Sequence, residues 1–147
     1  MKLRGLAPAG GLHMDNGTAF RDVMTQRTRA FALRVYKLCS SLPNSPEALH
    51  MRDQLFRCAT SVAANYRAAL RAKSDRDYLN KLKICEEESD ESEFWMDLLV
   101  ACDLVKLQKV ENLMKEANEL TAIIASSIVT KRRNMKEARQ RIRSSTS

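Results

Sequence analysis

Apolar residues recur three and four positions apart through most of this chain, the spacing of one face of an α-helix and not the alternation of a strand. Phe20, Met24, Arg27, Phe31, Val35, Leu38 and Leu42 keep that spacing, so a first helix is expected from about Thr18 to Ser40, with Arg21, Arg29, Arg34 and Lys37 elsewhere on its surface. The segment Ser41-Leu42-Pro43-Asn44-Ser45-Pro46 ends it; Ser45 as N-cap and Pro46 at the first helical position open the next. Met51, Leu55, Cys58, Ala59, Val62, Tyr66, Ala69 and Leu70 then predict a second helix from Pro46 to about Lys73. Ser74, followed by Asp75 and Asp77, is a hydroxyl cap with acids at the positive end of a helix dipole, and starts a third helix reaching about Asp103.

The next boundary has the weakest signal. Asp103 to Gln108 contains neither glycine nor proline, and a connection is placed there because an unbroken helix from 75 to 141 would be unusual outside a coiled coil. Val110, Met114, Ala117, Leu120, Thr121, Ile124 and Ile128 form the stripe of a fourth helix, which turns polar and basic after Thr130. Four long amphipathic helices with short connections predict an all-α, antiparallel up-down-up-down four-helix bundle over residues 17–143. Residues 1–16 show no periodicity and are expected as a disordered head, with Met14 a candidate natural start; residues 144–147 are expected as a flexible tail.

Composition narrows this further. The chain has 147 residues, 44% of them hydrophobic, enough for one core and one domain. All four glycines fall at or before Gly17, which leaves no turn chemistry for hairpins and no glycine-rich phosphate loop in the rest of the chain. Cys39, Cys58, Cys85 and Cys102 are widely spaced with no Cys-x-x-Cys pair, and read as buried thiols in a reducing compartment. The head lacks the apolar run of a signal peptide, and nothing approaches the roughly 18 uninterrupted apolar residues of a membrane span, so the expectation is a soluble, cytoplasmic protein that does not meet a membrane.

On a helical wheel the third helix carries two apolar sides. Tyr78, Leu82, Cys85, Ser89, Met96 and Val100 form the side expected to face the bundle, while Ile84, Trp95, Leu98 and Cys102 gather roughly 120° away. Either this helix lies unusually deep, or the second side meets another subunit; the second reading makes these four an oligomer interface. The same helix is crowded with acids. Glu87 and Glu91 lie on or beside the second side and Glu88 between the two, and the second helix offers Arg57, Ser61 and Asn65 at intervals of four. A structural polar layer joining these six residues, which would fix helix register, is the expectation; a solvated acidic face is its alternative.

Those acids do not make an enzyme. A carboxylate-bridged di-iron site needs Glu-x-x-His on two helices, and the sequence has that spacing once only, from Glu47 to His50, since the other histidine, His13, does not follow a glutamate by three. No serine or cysteine has a plausible histidine base. No catalytic residue, metal ligand or cofactor is expected.

Charge points elsewhere. The formal net charge is +7, yet Glu86 to Asp103 holds 8 acids and no base. The bases gather in two places: Arg67, Arg71 and Lys73 at the end of the second helix with Arg76 just after, and Lys131, Arg132, Arg133, Lys136, Arg139, Arg141 and Arg143 on the fourth. In an antiparallel bundle both groups point to the same end, where they would attract phosphates without regard to sequence. No aromatic residue is interleaved with them, which favours backbone contact over base stacking. The alternative is a solvated helix end whose cations complement the dipole.

Two runs carry a family resemblance. Gln54-Leu55-Phe56-Arg57-Cys58-Ala59-Thr60-Ser61-Val62-Ala63-Ala64-Asn65-Tyr66-Arg67 and, at helical distance, Lys81-Leu82-Lys83-Ile84-Cys85-Glu86-Glu87-Glu88-Ser89-Asp90-Glu91-Ser92-Glu93-Phe94-Trp95 resemble the bacterial four helix bundle protein family. That family includes proteins encoded in intervening sequences of large-subunit ribosomal RNA genes and the accessory variability determinants of diversity-generating retroelements. The resemblance covers about Phe20 to Ile128. It implies a homopentamer of four-helix protomers with a basic surface; in retroelement members that assembly binds nucleic acid and a reverse transcriptase. Arg57, Ser61, Asn65 and Glu88 match the family pattern. Many relatives follow the asparagine with Ile-Ala-Glu-Gly, whereas here Asn65 precedes Tyr66-Arg67-Ala68-Ala69, which sets this chain in a different branch. The expectation is a homo-oligomeric, non-catalytic accessory protein that binds RNA or DNA; a scaffold that binds only protein is the alternative.

Overall fold

The computed structural model describes residues 15–146, so the expected disordered head lies outside the described residues except at its last two positions. Four helices account for nearly all of them: α1 (Asn16–Ser40), α2 (Pro46–Ala69), α3 (Asp75–Ala101) and α4 (Leu107–Ser145). No strand occurs among the described residues.

The starts of α1, α2 and α3 are capped by side chains, whereas Lys106 at the start of α4 makes no such bond. The Asp15 carboxylate accepts the Gly17 N–H, the Ser45 hydroxyl accepts from Ala48 with Pro46 in the first turn, and the Ser74 hydroxyl accepts from Asp77. α2 stops at Ala69, four residues short of the sequence expectation. There Arg71 and Ala72 donate to carbonyls only three residues back, and the chain turns to reach the Ser74 cap. α4 runs on through Ser145, so Ser144 and Ser145, expected as loose tail, form its last turn.

The end of α3 explains why its boundary was hard to read. Asp103 adopts φ 58°, the left-handed region, and its N–H bonds to Val100 while Leu104 N–H reaches back to Leu99, each at 3.0 Å. This is the two-bond C-terminal cap that usually takes glycine, here built with aspartate. Leu104 packs against the core, supplying the apolar contact that accompanies such a cap.

Pairings across the helices run in opposite order, as an antiparallel bundle requires. Tyr36 meets Phe56 and the Cys39 thiol meets the Arg52 carbonyl between α1 and α2. Between α2 and α3, Arg57 meets Glu88 and Glu91, and His50 meets Trp95. Between α3 and α4, Asp75 meets Lys131 and Ser89 meets Thr121. The core is filled by Met24, Phe31, Leu55, Leu82, Met96, Leu99, Leu120 and Ile124, all at most 1% exposed, and each contributes about 1.5–3 kcal/mol by leaving water.

Packing is uneven around the bundle. α3 lies against both α2 and α4, whereas α1 touches α4 over a shorter stretch. That seam is clasped by Arg27, which sits in the apolar stripe of α1 yet donates to Glu116 through Nε at 2.6 Å and also contacts Glu119. Ser89 and Thr121 exchange a hydrogen bond of 2.8 Å inside the α3–α4 contact. Among the described residues no buried side-chain nitrogen or oxygen lacks a partner. Of the four cysteines expected to be buried, Cys39, Cys58 and Cys85 are, but Cys102, the C-cap of α3, is exposed. None of the four forms a disulfide.

Candidate nucleic-acid interface

Two polar regions stand out on this frame, one between α2 and α3 and one at the end where α2 finishes. The first is the expected polar layer, and the structure divides it. Arg57 reaches Glu88 through Nη1 at 3.1 and 3.2 Å and Glu91 through Nη2 at 2.9 Å; Glu91 also accepts from Trp95 Nε1 at 3.1 Å. Burial works against the Glu91 charge, but hydrogen bonds from Trp95 and Cys58, together with Arg57, hold its carboxyl below the usual carboxylate range. Asn65 does not join the acids. Its amide donates to the Ser61 carbonyl and hydroxyl, both at 2.9 Å, one turn back on its own helix. Glu87 points into solvent on α3.

Cys58, Glu88 and Glu91 bring donor atoms within 4.8 Å of one another, a set that in principle suits a metal ion. The Arg57 guanidinium already contacts all three, lying 3.2 Å from the Cys58 sulfur. Burial and the neighbouring carboxylates push the Cys58 thiol up, which keeps it protonated. The group therefore reads as a cation-centred clamp between helices.

The residues expected at an oligomer interface are partly absorbed by the protomer. Ile84, Trp95 and Leu98 are half-buried, and the Trp95 ring meets His50 of α2 edge-on at 5.9 Å; only Cys102 is exposed. α3 is flanked on both sides, so it needs a wider apolar arc than a helix packed on one neighbour.

The second region is the end shared by the last turn of α2, the α2–α3 turn, the start of α1 and the last part of α4. Lys131 of α4 pairs with Asp75 at 2.7 Å and lies 5.6 Å from the Tyr78 ring centre. Lys73 and Arg21 line the same surface pocket as Lys131 and Asp75, a hollow of about 310 Å³. Arg67 and Arg71 are exposed on the outer α1–α2 groove beside Arg29, and Arg76 is exposed in the first turn of α3. The two basic clusters therefore converge on one end.

α4 then overhangs it. Every residue from Lys136 to Thr146 is exposed, and the stretch from Lys136 to Ser145 projects about 15 Å at 1.5 Å per residue. Arg132, Lys136, Arg139 and Arg143 share one face of this arm by their spacing of four, three and four. Dipole complementarity does not account for them, because that effect is confined to the last turn, where Arg143 alone falls.

Sequence reasoning missed three contributors to this end. Helical spacing sets Phe20 and Tyr78 on core-facing stripes and leaves Arg21 elsewhere on the α1 surface. Phe20 is 45% exposed, and both aromatic residues line the trough beside Lys131 with Arg21, so the bases are not without aromatic neighbours. These residues come from α1 and α3, and no single run of sequence brings them to the bases of α2 and α4.

Among the described residues no helix is long and apolar enough to cross a membrane. No curated protein matches the chain. A crystal structure of a protein of unknown function from the S23 ribosomal protein family of Bacteroides thetaiotaomicron is similar, with a TM-score of 0.69 and 30% identity over 74% of this chain and 96% of that one. The family model for 23S rRNA-intervening sequence proteins matches residues 22–126, which takes in most of the bundle and stops before Lys131 and the overhanging arm. With that match over most of its length, the chain belongs to the 23S rRNA-intervening sequence protein family.

Proposed function

We propose that this protein is a cytoplasmic, non-catalytic accessory factor, a homo-oligomer that binds RNA or DNA without sequence preference through the basic end of its bundle. The observation that carries the reading is the convergence of Arg67, Arg71, Lys73 and Arg76 with Lys131, Arg132, Arg133, Lys136, Arg139, Arg141 and Arg143 at one end, the last six on or leading into an exposed projecting helix. Phosphate contacts of this kind release counterions, position a nucleic acid and carry no base information. The name of the family, which refers to an intervening sequence of 23S rRNA, is in keeping with a nucleic-acid partner.

Assembly would multiply the charge. A pentamer, and a reverse transcriptase as a further partner, rest on the resemblance described above. Exposed Tyr36 and Phe56, which meet between α1 and α2, with exposed Leu33 of α1, Cys102 and the half-buried Ile84, Trp95 and Leu98, are the surfaces proposed for subunit contact. The same apolar groups support the second reading, a scaffold that meets protein alone. Fluorescence anisotropy with a labelled RNA or DNA duplex separates the two: the proposal expects binding at low salt that weakens steeply as salt is raised, and undetectable binding even at low salt would leave the scaffold reading standing.

A further inference from the structure

The hollow at the basic end does not stand alone. It is lined by Arg21, Lys73 and Lys131, and it opens into a trough of about 750 Å³ between α1 and α4; Arg21, Tyr78 and Lys131 belong to both. The trough exists because α1 and α4 touch over only a short stretch, clasped further along by Arg27. Both volumes are of the order of small-molecule sites, roughly 300–1,000 Å³.

The two halves differ in chemistry. In the hollow, Lys131 is balanced by Asp75, whereas Arg21 and Lys73 form no ion pair with any described residue, so two positive charges are left uncompensated beside the Ser74 start of α3. In the trough, Phe20 offers a 45% exposed ring over a floor that includes Ile123. Ser126, Thr130 and Asn134 line the same trough, and their side chains make no hydrogen bond with any described residue. A ligand matching both halves has a phosphate at one pole, a flat π-faced body, and edge donors and acceptors.

We infer that this composite groove binds an unpaired nucleotide of a nucleic-acid strand, with the phosphate held by Arg21 and Lys73 and the base in the trough against Phe20. The inference rests on the nucleic-acid reading of the basic end and refines it. A base stacked inside a duplex cannot enter the trough, so single strands and overhangs gain a contact that blunt duplexes lack. The projecting arm, which meets phosphates only, serves both kinds of strand.

The test compares a short single-stranded RNA with the blunt duplex containing it, read by anisotropy and by NMR of the Phe20 ring. The wild-type chain should bind the single strand more tightly and shift the Phe20 ring resonances. Phe20→Ala, a change at an exposed position, should weaken single-strand binding about tenfold while leaving duplex binding unchanged; Arg21→Gln should also lower single-strand affinity. Equal binding of both strands, an unmoved Phe20 ring and no effect of Phe20→Ala would overturn the groove while leaving the basic end intact. Loss of all binding at low salt would sink both. Single-strand binding to the trough that appears only after residues 1–14 are removed would assign the trough to that segment and overturn the inference.

Discussion

Without the Arg57 guanidinium, the Glu88 side chain, only 17% exposed, would face α2 with no cation, and Glu91 would keep Trp95 as a donor. Arg57→Ala is expected to cost about 1–2 kcal/mol, lowering Tm by about 3–8 °C. Acid should erase part of that difference. The Glu91 carboxyl is held below its usual 4.5, so its contribution is fully present above that value and is lost as pH falls through the depressed one. The Tm gap between wild type and Arg57→Ala should therefore hold from neutral pH to about pH 5 and narrow below about pH 4; a gap that does not respond to acid would show the pair to be idle. Arg57 and the acids opposite were legible in the sequence, because spacing and opposite charge on neighbouring antiparallel helices leave few other partners. The role of Asn65 was not. Its amide finds the Ser61 carbonyl within its own helix, and a helical wheel does not rank that local bond against a cross-helix one.

At the scale of elements, the end of α3 and the length of α4 are the informative features. Asp103 occupies a left-handed cap that glycine fills without a Cβ penalty. Asp103→Gly is expected to stabilise the chain by about 0.5–1 kcal/mol, read as a rise in Tm of about 2–4 °C; a fall in Tm would contradict the cap assignment. The cap also shows why this boundary lacked a signal: the usual residue marker is absent while the backbone geometry is intact. Other starts were readable from Ser45, Pro46 and Ser74, since a hydroxyl or a proline at a helix start acts locally. The apolar stripe of α4 fades after Ile128, which marked the polar segment in the sequence. That this segment projects depends on comparison with its neighbours, 39 residues against 24 to 27, and on where α3 begins.

For the whole molecule, periodicity and short connections sufficed to read an antiparallel bundle, and antiparallel topology sufficed to send the ends of α2 and α4 the same way. The trough needed more. Phe20, Arg21 and Tyr78 reach the basic end only because α1 closes loosely against α4, a consequence of packing that no local pattern encodes. On the proposed function, the basic end, and above all the arm that extends beyond the family match, is the surface that meets nucleic acid. The most direct test is the salt dependence of duplex DNA binding for the intact chain and for one carrying Arg132→Gln, Lys136→Gln, Arg139→Gln and Arg143→Gln. The expected result is tight binding at low salt for the intact chain, with the slope of log K against log salt shallower in the variant by about 0.9 for each phosphate contact removed. Identical slopes, or no binding by the intact chain at low salt, would contradict it.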